Sequence, residues 1–348
     1  MDMLVGYVNY LVFFSIQAGI FAVLCLGLNV QWGYTGLFNI GIAGFYAVGA
    51  YTSALVSGLP PAATDLRVVG GLNLPFGVGL VAAMVVSGIV AFIISIPVLR
   101  LKEDYLAIAT IGIAEVIRMV LQNEAWLSNG VWGIKQIPAP LADTIRPAVE
   151  AFLGRHPDFS GWLNRLISNG YNWFYLSLVV LVLVAIYWLL NRLMESPWGR
   201  VLKAIREDEV VASFAGKDVF WFKMQSMVVG SMLMGAAGAL YAHFATFINA
   251  NTFEPMFGTF LIWVMLIVGG SGSNRGAIVG AFAVWMIWSG SDFISGFVNL
   301  QGYQSAALRI LLVAVLLEVM LLYKPQGLMG ERRRRVPVLP APEPAETD

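Results

Sequence analysis

Nine runs of about 20 mainly apolar residues dominate this chain of 348 residues. A helix rises about 1.5 Å per residue and the hydrocarbon core of a bilayer is about 30 Å thick, so each run predicts one membrane crossing. Hydrophobic residues make up 58% of the chain and charged residues 12%, too little charge to cover a soluble protein of this size. We therefore expect an all-α integral membrane protein with about nine transmembrane helices, in a range of about 8 to 10. The runs are 10–30, 36–57, 75–98, 104–121, 172–192, 220–243, 255–271, 277–295 and 306–323.

The charge balance and the cysteine content exclude several classes of function. The chain has 21 basic and 21 acidic residues, so it has no excess positive charge with which to bind nucleic acid. Its single cysteine, Cys25, permits neither an internal disulfide nor a cysteine metal cluster, and its two histidines are too few for a metal site without carboxylates. We expect no bound metal and no nucleic-acid partner.

The basic residues indicate the orientation in the membrane. Fourteen of the 21 lie on alternate loops and near the C-terminal end, whereas the long segment 122–171 on the opposite side has balanced charge. The positive-inside rule then predicts an external N-terminus, a cytoplasmic C-terminus and an external loop at 122–171. We expect residues 1–330 to form one transmembrane domain. Residues 331–348 have four arginines at 332–335 and continue with proline and acid, which predicts a disordered cytoplasmic tail.

The largest cytoplasmic feature is the loop 193–219 between two spans. Ser196 and Pro197 can start a helix and Gly216 can stop one, with apolar residues at helical spacing between them. Those apolar residues are Val201, Leu202, Ile205, Val210, Val211 and Phe214. The polar side carries Arg200, Lys203, Arg206, Glu207, Asp208 and Glu209. A headgroup-bound amphipathic helix is the simpler interpretation, but an anionic membrane surface would repel the three acids, which favours a cytoplasmic protein partner.

Two glycine-interrupted segments, 33–51 and 269–286, lie one in each half of the chain. Broken helices in both halves are typical of transporters whose solute path runs near the middle of the membrane, although close helix packing explains the same glycines. Polar or flexible residues in and near these segments are candidates for a substrate path. They are Gln17, Asn29, Asn39, Gly41, Gly270 and Ser271.

Glu115 and Arg118 lie three residues apart in the span 104–121 and therefore on one helix face. Opposite charges at this spacing can neutralise each other within a membrane. A latch between helices is the favoured interpretation, and contact of Glu115 with the solute is the alternative.

The sequence has no phosphate-binding GxxxxGK[ST] motif, no HExxH and no GxSxG followed by aspartate and histidine. The chain is therefore not expected to be an enzyme or to bind ATP and Mg²⁺ itself. If transport needs energy, a partner protein or an ion gradient supplies it.

SPWGRVLKAIREDEVVASFAG, residues 196–216, resembles the coupling loop of permeases of branched-chain amino acid ABC importers. Further similarity lies in GLNVQWGYTGLFNIGIAGFYAVGAYTSA (27–54), LKEDYLAIATIGIAEVIRMVLQN (101–123), GGSGSNRGAIVGA (269–281) and KPQGLMG (324–330). The PQGL segment and the long external loop are similar to the M-type rather than the H-type subunit. Two departures are AWLSNGVWGI (125–134), which has fewer glycines than the family pattern, and Val211 with Ala212, where importers in general have two alanines.

The resemblance implies a multi-pass protein of the bacterial inner membrane with a periplasmic N-terminus. It implies a heterodimer with an H-type permease, two cytoplasmic ATPase subunits that bind ATP and Mg²⁺, and a periplasmic binding protein that delivers leucine, isoleucine or valine. It assigns the ATPase contact to Pro197, Gly199, Arg200, Lys203, Arg206, Glu207, Asp208, Glu209 and Gly216.

Three alternatives remain. Related permeases carry urea or short amides, and one sequence does not separate these solutes. A secondary transporter driven by protons or sodium would need a carboxylate deep in a span, for which Glu115 is the candidate. A structural subunit without a path would tolerate replacement of the polar residues in the glycine-rich turns.

Overall fold

The computed structural model describes residues 2–59, 71–155, 170–298 and 301–330. Regular structure in these ranges is helical, apart from one isolated bridge between Ile134 and Ile248. The α-helices in chain order are α1 (Asp2–Leu28), α2 (Ile42–Ser57), α3 (Phe76–Val98), α4 (Glu103–Asn123), α5 (Ala125–Ser128), α6 (Ala142–Arg155), α7 (Gly170–Glu195), α8 (Pro197–Glu207), α9 (Glu209–Phe214), α10 (Val219–Ala245), α11 (Leu261–Gly269), α12 (Asn274–Val298) and α13 (Gly302–Tyr323). Short π or 3₁₀ turns are Asn29–Gly33, Gly130–Trp132, Ala250–Phe253 and Met256–Phe260.

Proline and glycine set several helix ends. Pro75 directly precedes α3, where its missing N–H costs no hydrogen bond, and Gly58 follows the last residue of α2. Gly270 follows α11 with φ of +108°, a backbone conformation that a side chain would strain. The apolar runs of the sequence therefore begin and end near residues that favour helix termini.

Six helices in the described ranges are long and apolar enough to cross a membrane. They are Val5–Gly33, Phe76–Val98, Gly170–Glu195, Val219–Ala245, Asn274–Gly296 and Gly302–Tyr323. Each matches a run found in the sequence, so the membrane class is confirmed. The expected count of about nine is not reached by length and composition, because three runs differ in structure.

Those three runs, 36–57, 104–121 and 255–271, form shorter or more polar helices. The first becomes a 16-residue helix, α2, after an irregular segment, and the third becomes a π turn followed by the nine-residue α11. The second becomes α4, whose 21 residues include the charged pair Glu115 and Arg118. Irregular backbone at membrane depth is tolerated where protein covers it, and α11 is almost wholly buried.

Helices α1 and α10 lie in the interior of the bundle, and α3, α7 and α13 lie at its outside. The most apolar segments of these two helices are 78% and 72% buried inside the protein, whereas those of α3 and α7 are 28% buried and that of α13 is 6% buried. A helix that is apolar all round and buried lies in the middle of a bundle. The outer helices present apolar side chains that suit lipid or a second membrane subunit.

Glycine allows a close helix approach between α2 and α10. A Cβ atom added to Gly49 would overlap the backbone of Gly235, and one added to Gly238 would overlap the backbone of Tyr46. Small residues at such crossings let the two backbones come into contact. In lipid the hydrophobic effect does not drive helices together, so the van der Waals attraction of this contact stabilises the pair. The high glycine content thus has a packing role at this crossing.

The segment between α4 and α7, expected as an external loop at 122–171, contains α5, a 3₁₀ turn and α6. Ile134 joins Ile248 of the α10–α11 connection through paired backbone hydrogen bonds of 2.9 and 3.1 Å. The segment therefore packs against the end of α10 around Ile134, and α6 packs against α7. Residues 156–169 and the expected disordered tail at 331–348 lie outside the described ranges.

Candidate functional site

Helices α8 and α9 form the predicted amphipathic element between two long helices. Pro197 occupies the first turn of α8, where the lack of an N–H is harmless. Gly199, Leu202 and Ile205 are buried and attach α8 to the bundle. A side chain on Gly199 would overlap the backbone of Met194, so glycine is needed where α7 turns into α8.

Asp208 separates the two short helices and caps the second. Its carboxylate accepts hydrogen bonds from the N–H groups of Val210 and Val211 at 2.8 and 3.0 Å, an N-cap arrangement. Glu209 forms an ion pair with Lys223 of α10. Gly216 ends the element with φ of +73°. Two of the three predicted acids therefore hold α9 in place, and Glu207, with its side chain 76% exposed, faces outward.

The apolar face predicted for this loop is only half buried. Leu202 and Ile205 are buried, but Val210, Val211 and Phe214 are exposed at 62%, 63% and 87%. The sequence predicted a short amphipathic helix or a pair of helices, and the chain forms the pair, because it turns at Asp208 and α9 starts a new helix. An exposed apolar group beside acids at the end of the bundle is typical of a protein-contact surface.

Two of the predicted coupling cations point into the bundle. The guanidinium of Arg206 donates a hydrogen bond to the carbonyl of Gly33, at the end of the π turn after α1. The ammonium of Lys203 lies 5.5 Å from the ring centre of Tyr34. Arg200, in contrast, is exposed. The element therefore has an inner set of contacts to the α1–α2 connection and an outer set available to a partner.

The π turn Asn29–Gly33 carries two buried amides that join distant helices. Asn29 donates to the side chain of Asn274 at 3.1 Å and accepts from the N–H of Gly272 at 2.9 Å. Asn274 in turn donates to Asn191 of α7 at 2.8 Å. This chain of amides ties α1, α7 and α12 together at the end of the bundle nearest α8.

Gln31 and Asn39 form a second arm of the same network. The Gln31 amide donates to the carbonyl of Met227 at 2.9 Å and to Ser231 at 3.2 Å, both in α10. Its oxygen accepts from Asn39 at 2.7 Å, and the Asn39 oxygen accepts from the N–H of Gly41 at 2.7 Å. Asn29, Asn39 and Gly41, predicted as path residues, thus have partners within the protein. We call Asn29, Gln31, Asn39, Asn191 and Asn274 the amide network.

Gly270 and Ser271 lie in the turn between α11 and α12, against the C-terminal segment 325–330. Leu328 and Met329 donate backbone hydrogen bonds to Val268 and Gly269 at 2.8 and 2.9 Å. A Cβ on Gly270 would meet the Gln326 carbonyl at 2.8 Å. The segments 269–281 and 324–330, which resemble the importer family, therefore form a tight backbone contact. A role of Gly270 and Ser271 in the substrate path stays a prediction.

Gln17 lines a cavity of about 330 Å³ in the bundle. Tyr46, Tyr241, Asn251 and Trp285 contribute to the same cavity, and sequence reasoning missed these four residues. In the sequence, these residues stand out only as polar or amphipathic side chains near glycine-rich helix segments. The exposed side chain of Asn251 lies just beyond the end of α10, opposite to the end where α10 meets α9. The cavity and the helix pair are therefore at different levels of the bundle.

The predicted pair on α4 is present. Arg118 donates from Nε to Glu115 Oε2 at 2.9 Å and makes a second bond to Oε1, a bidentate arrangement. Glu115 does not line the cavity that contains Gln17. Among the residues with described positions, no group of three or more His, Cys, Asp or Glu is placed to hold a metal ion.

Buried long helices, a glycine-packed centre, an internal cavity and an outward-facing helix pair define a multi-pass membrane permease. The family described as the branched-chain amino acid transport system / permease component matches residues 10–321. The chain belongs to this family.

Three relatives show the range of similarity. The high-affinity branched-chain amino acid transport system permease protein LivM of Escherichia coli (strain K12) is 30% identical over 319 residues, covering 90% of this chain and 68% of that protein. A probable branched-chain amino acid transport permease protein LivM of Methanocaldococcus jannaschii is 27% identical, covering 90% and 91%. The LivH permease of Salmonella typhimurium is 22% identical, covering 89% and 91%. This order agrees with the predicted M-type character. No solved structure matches the chain.

Proposed function

We propose that this chain is the M-type membrane subunit of an ATP-driven importer that moves leucine, isoleucine and valine into the cytoplasm by alternating access. The observation that carries the proposal is the family match over residues 10–321, with LivM relatives named for branched-chain amino acid transport. The exposed helix pair α8–α9 and the internal cavity supply the two features that such a subunit needs.

The helix pair is the proposed binding site of an ATPase subunit. Val210, Val211 and Phe214 offer an apolar patch, and Arg200 with Glu207 adds charge at its edge. Apolar groups at the centre of a contact with polar groups around it are typical of protein interfaces. Two such ATPases would bind ATP and Mg²⁺, so this chain would bind no nucleotide itself. The other predicted contacts, including Gly199, Lys203 and Arg206, would not touch the ATPase but would transmit the movement of α8 to the bundle.

The second permease is the proposed occupant of the remaining lipid-facing surface. Helix α13 is only 6% buried in its apolar segment, and LivH-type relatives exist with similarity across the same length. A heterodimer of M-type and H-type chains with a periplasmic binding protein on the far side would complete the importer. The H-type chain would cover part of the apolar surface that this chain exposes.

In this assembly we count nine crossings, by adding α2, α4 and the π turn with α11 to the six long helices. The N-terminus would then be periplasmic and the C-terminus cytoplasmic, in the inner membrane of a bacterium. The distribution of basic residues supports this orientation, since it brings Arg192, Arg200 and Lys217 to the cytoplasmic side.

Two rivals are weaker. An ion-driven carrier needs a carboxylate that exchanges its cation, and Glu115 accepts hydrogen bonds from Nε and Nη2 of the neighbouring Arg118. Urea or a short amide remains a rival cargo, because neutral polar solutes would meet the same uncharged cavity residues.

The test is uptake by vesicles that contain this chain with its co-purifying partners. Labelled leucine, valine and urea are offered with binding protein, with ATP inside or with an ion gradient alone. ATP-dependent leucine and valine uptake that needs the binding protein supports the proposal, while urea uptake would change the cargo. Uptake driven by the gradient without ATP would overturn it.

A further inference from the structure

The cavity around Gln17 contains a polar group that the protein does not satisfy. Gln17 is only 8% exposed, yet its amide has no hydrogen-bond partner within the described part of the chain. Buried amides nearly always have partners in folded proteins. An unpaired amide in the wall of a cavity indicates that something else supplies its partner.

The amides elsewhere in the bundle provide the contrast. Asn29, Gln31 and Asn39 are fully buried and each is hydrogen-bonded to other parts of the protein. The sequence thus pairs its buried amides where they hold helices together. The unpaired amide of Gln17 differs from these three, and it lies where there is space for a solute.

The walls of the cavity restrict what that solute is. Phe21 and Trp285 pack edge to face with ring centres 4.9 Å apart and form an apolar surface, to which Tyr46 and Tyr241 add rings with hydroxyl groups. None of the described residues that line the cavity is charged. A solute with net charge would be left without a counter-ion, whereas a zwitterion carries its own. About 330 Å³ is at the small end of ligand sites and suits one small molecule.

We propose that this cavity is a binding site, within this chain, for a neutral zwitterionic amino acid with an aliphatic side chain. Gln17 donates to its carboxylate from Nε2 or accepts from its ammonium at Oε1, and the aromatic rings contact its side chain. The inference rests on the proposed function and adds to it. The membrane subunit itself, and not only a delivering protein, selects the solute.

The position of the site relative to the amide network supports this role. Gln17 precedes Asn29 by 12 residues of helix, about 18 Å at 1.5 Å per residue. The amide network lies between the cavity and the helix pair α8–α9 along α1 and α10. A solute in the cavity therefore meets a closed, hydrogen-bonded layer on the side of α8.

The experiment measures binding of labelled leucine to the purified permease complex without binding protein and without ATP. Gln17→Leu removes the amide at nearly constant volume. Gln122→Leu, at the end of α4 and outside the cavity, is the matched control. We expect leucine affinity to fall about tenfold in Gln17→Leu, because a hydrogen bond to a charged group is lost, and to stay unchanged in the control.

A second readout separates binding from structure. Gln17→Leu removes a buried amide that lacks a partner, so the ligand-free complex should melt at the same or a higher temperature while the leucine-induced shift shrinks. Lysine and glutamate should produce no shift in the unaltered complex.

Unchanged leucine affinity in Gln17→Leu, or no leucine binding by the unaltered complex, would overturn the inference. If ATP-driven leucine uptake persists in that case, only the cavity assignment fails. Loss of the proposed function itself would instead show as absence of ATP-driven uptake by the unaltered complex.

Discussion

Arg206 in α8 donates a hydrogen bond from its guanidinium to the backbone carbonyl of Gly33, which ends the π turn after α1. The same turn carries Asn29 and Gln31, whose amides reach α12 and α10. A displacement of α8 therefore acts on a backbone group from which hydrogen bonds extend into the middle of the bundle. In the proposed assembly, this connection is a physical basis for coupling a movement of α8 to the transmembrane helices.

Arg206→Met should separate ATP hydrolysis from transport. The variant keeps the length of the side chain but loses the bond to Gly33, and a hydrogen bond from a charged donor contributes about 1.5–3 kcal/mol. We expect leucine uptake to fall about tenfold while the partner ATPases retain at least half of their activity. Both rates are measured in the same vesicles.

The matched control is Arg200→Met on the exposed side of α8. This change should weaken ATPase docking and lower hydrolysis and uptake in proportion. Equal loss of both activities in Arg206→Met would contradict a transmitting role for Arg206.

Asp208→Ala should weaken α9 through loss of its N-cap. Replacing such a cap by alanine costs about 1 kcal/mol, and the two N–H groups of Val210 and Val211 lose their acceptor. We expect reduced substrate-stimulated ATP hydrolysis at normal membrane levels. Asp208→Ser retains a capping oxygen and should restore most of the activity, and failure of serine to do so would indicate that the charge rather than the cap matters.

Asn29→Ala should destabilise the bundle by about 1–3 kcal/mol, because it leaves Gly272 N–H and Asn274 without their partner in a buried site. The measurement is thermal melting of the purified complex. Asn123→Ala is the control, since Asn123 is exposed and bonds only to its own helix at Met119. Similar melting temperatures for both variants would argue against a structural role for the amide network.

Gly49→Ala should destabilise the crossing of α2 and α10 by about 1–3 kcal/mol, since the added methyl group overlaps the backbone of Gly235. Gly112→Ala in α4 meets no atom within 4 Å and should leave stability unchanged or raise it by about 0.5–1 kcal/mol through helix propensity. The amounts of folded complex in the membrane after heating distinguish the two. Equal tolerance of both changes would show that the helices can move apart.

Part of the structure was predictable because it depends on local pattern. Long apolar runs gave the helical membrane class, the i and i+3 spacing gave the Glu115–Arg118 pair, and Ser196 with Pro197 gave the start of α8. The resemblance in the loop 196–216 indicated the family that the comparison then confirmed. Each of these inferences uses residues close together in the chain.

The rest depends on residues that are distant in sequence. Asn29 and Asn274 are 245 residues apart, and nothing local distinguishes a paired amide from one that contacts a solute. The exposure of Phe214 depends on a turn at Asp208 that interrupts an otherwise continuous helical phase. The cavity requires Gln17, Tyr241 and Trp285 to meet from three helices.

In the proposed assembly, the helix pair α8–α9 binds the ATPase in the cytoplasm and the cavity opens toward the opposite side of the membrane. Single cysteines at Glu207 and Asn251, both exposed, report on the two ends, and the native Cys25 is buried and therefore inert to an impermeant maleimide. Membranes of defined orientation are labelled with and without the ATPase subunits. We predict that Glu207→Cys reacts only from the cytoplasmic side and is protected by the ATPase, and that Asn251→Cys reacts only from the other side. Labelling of both from one side, or no protection of Glu207→Cys, would contradict the account.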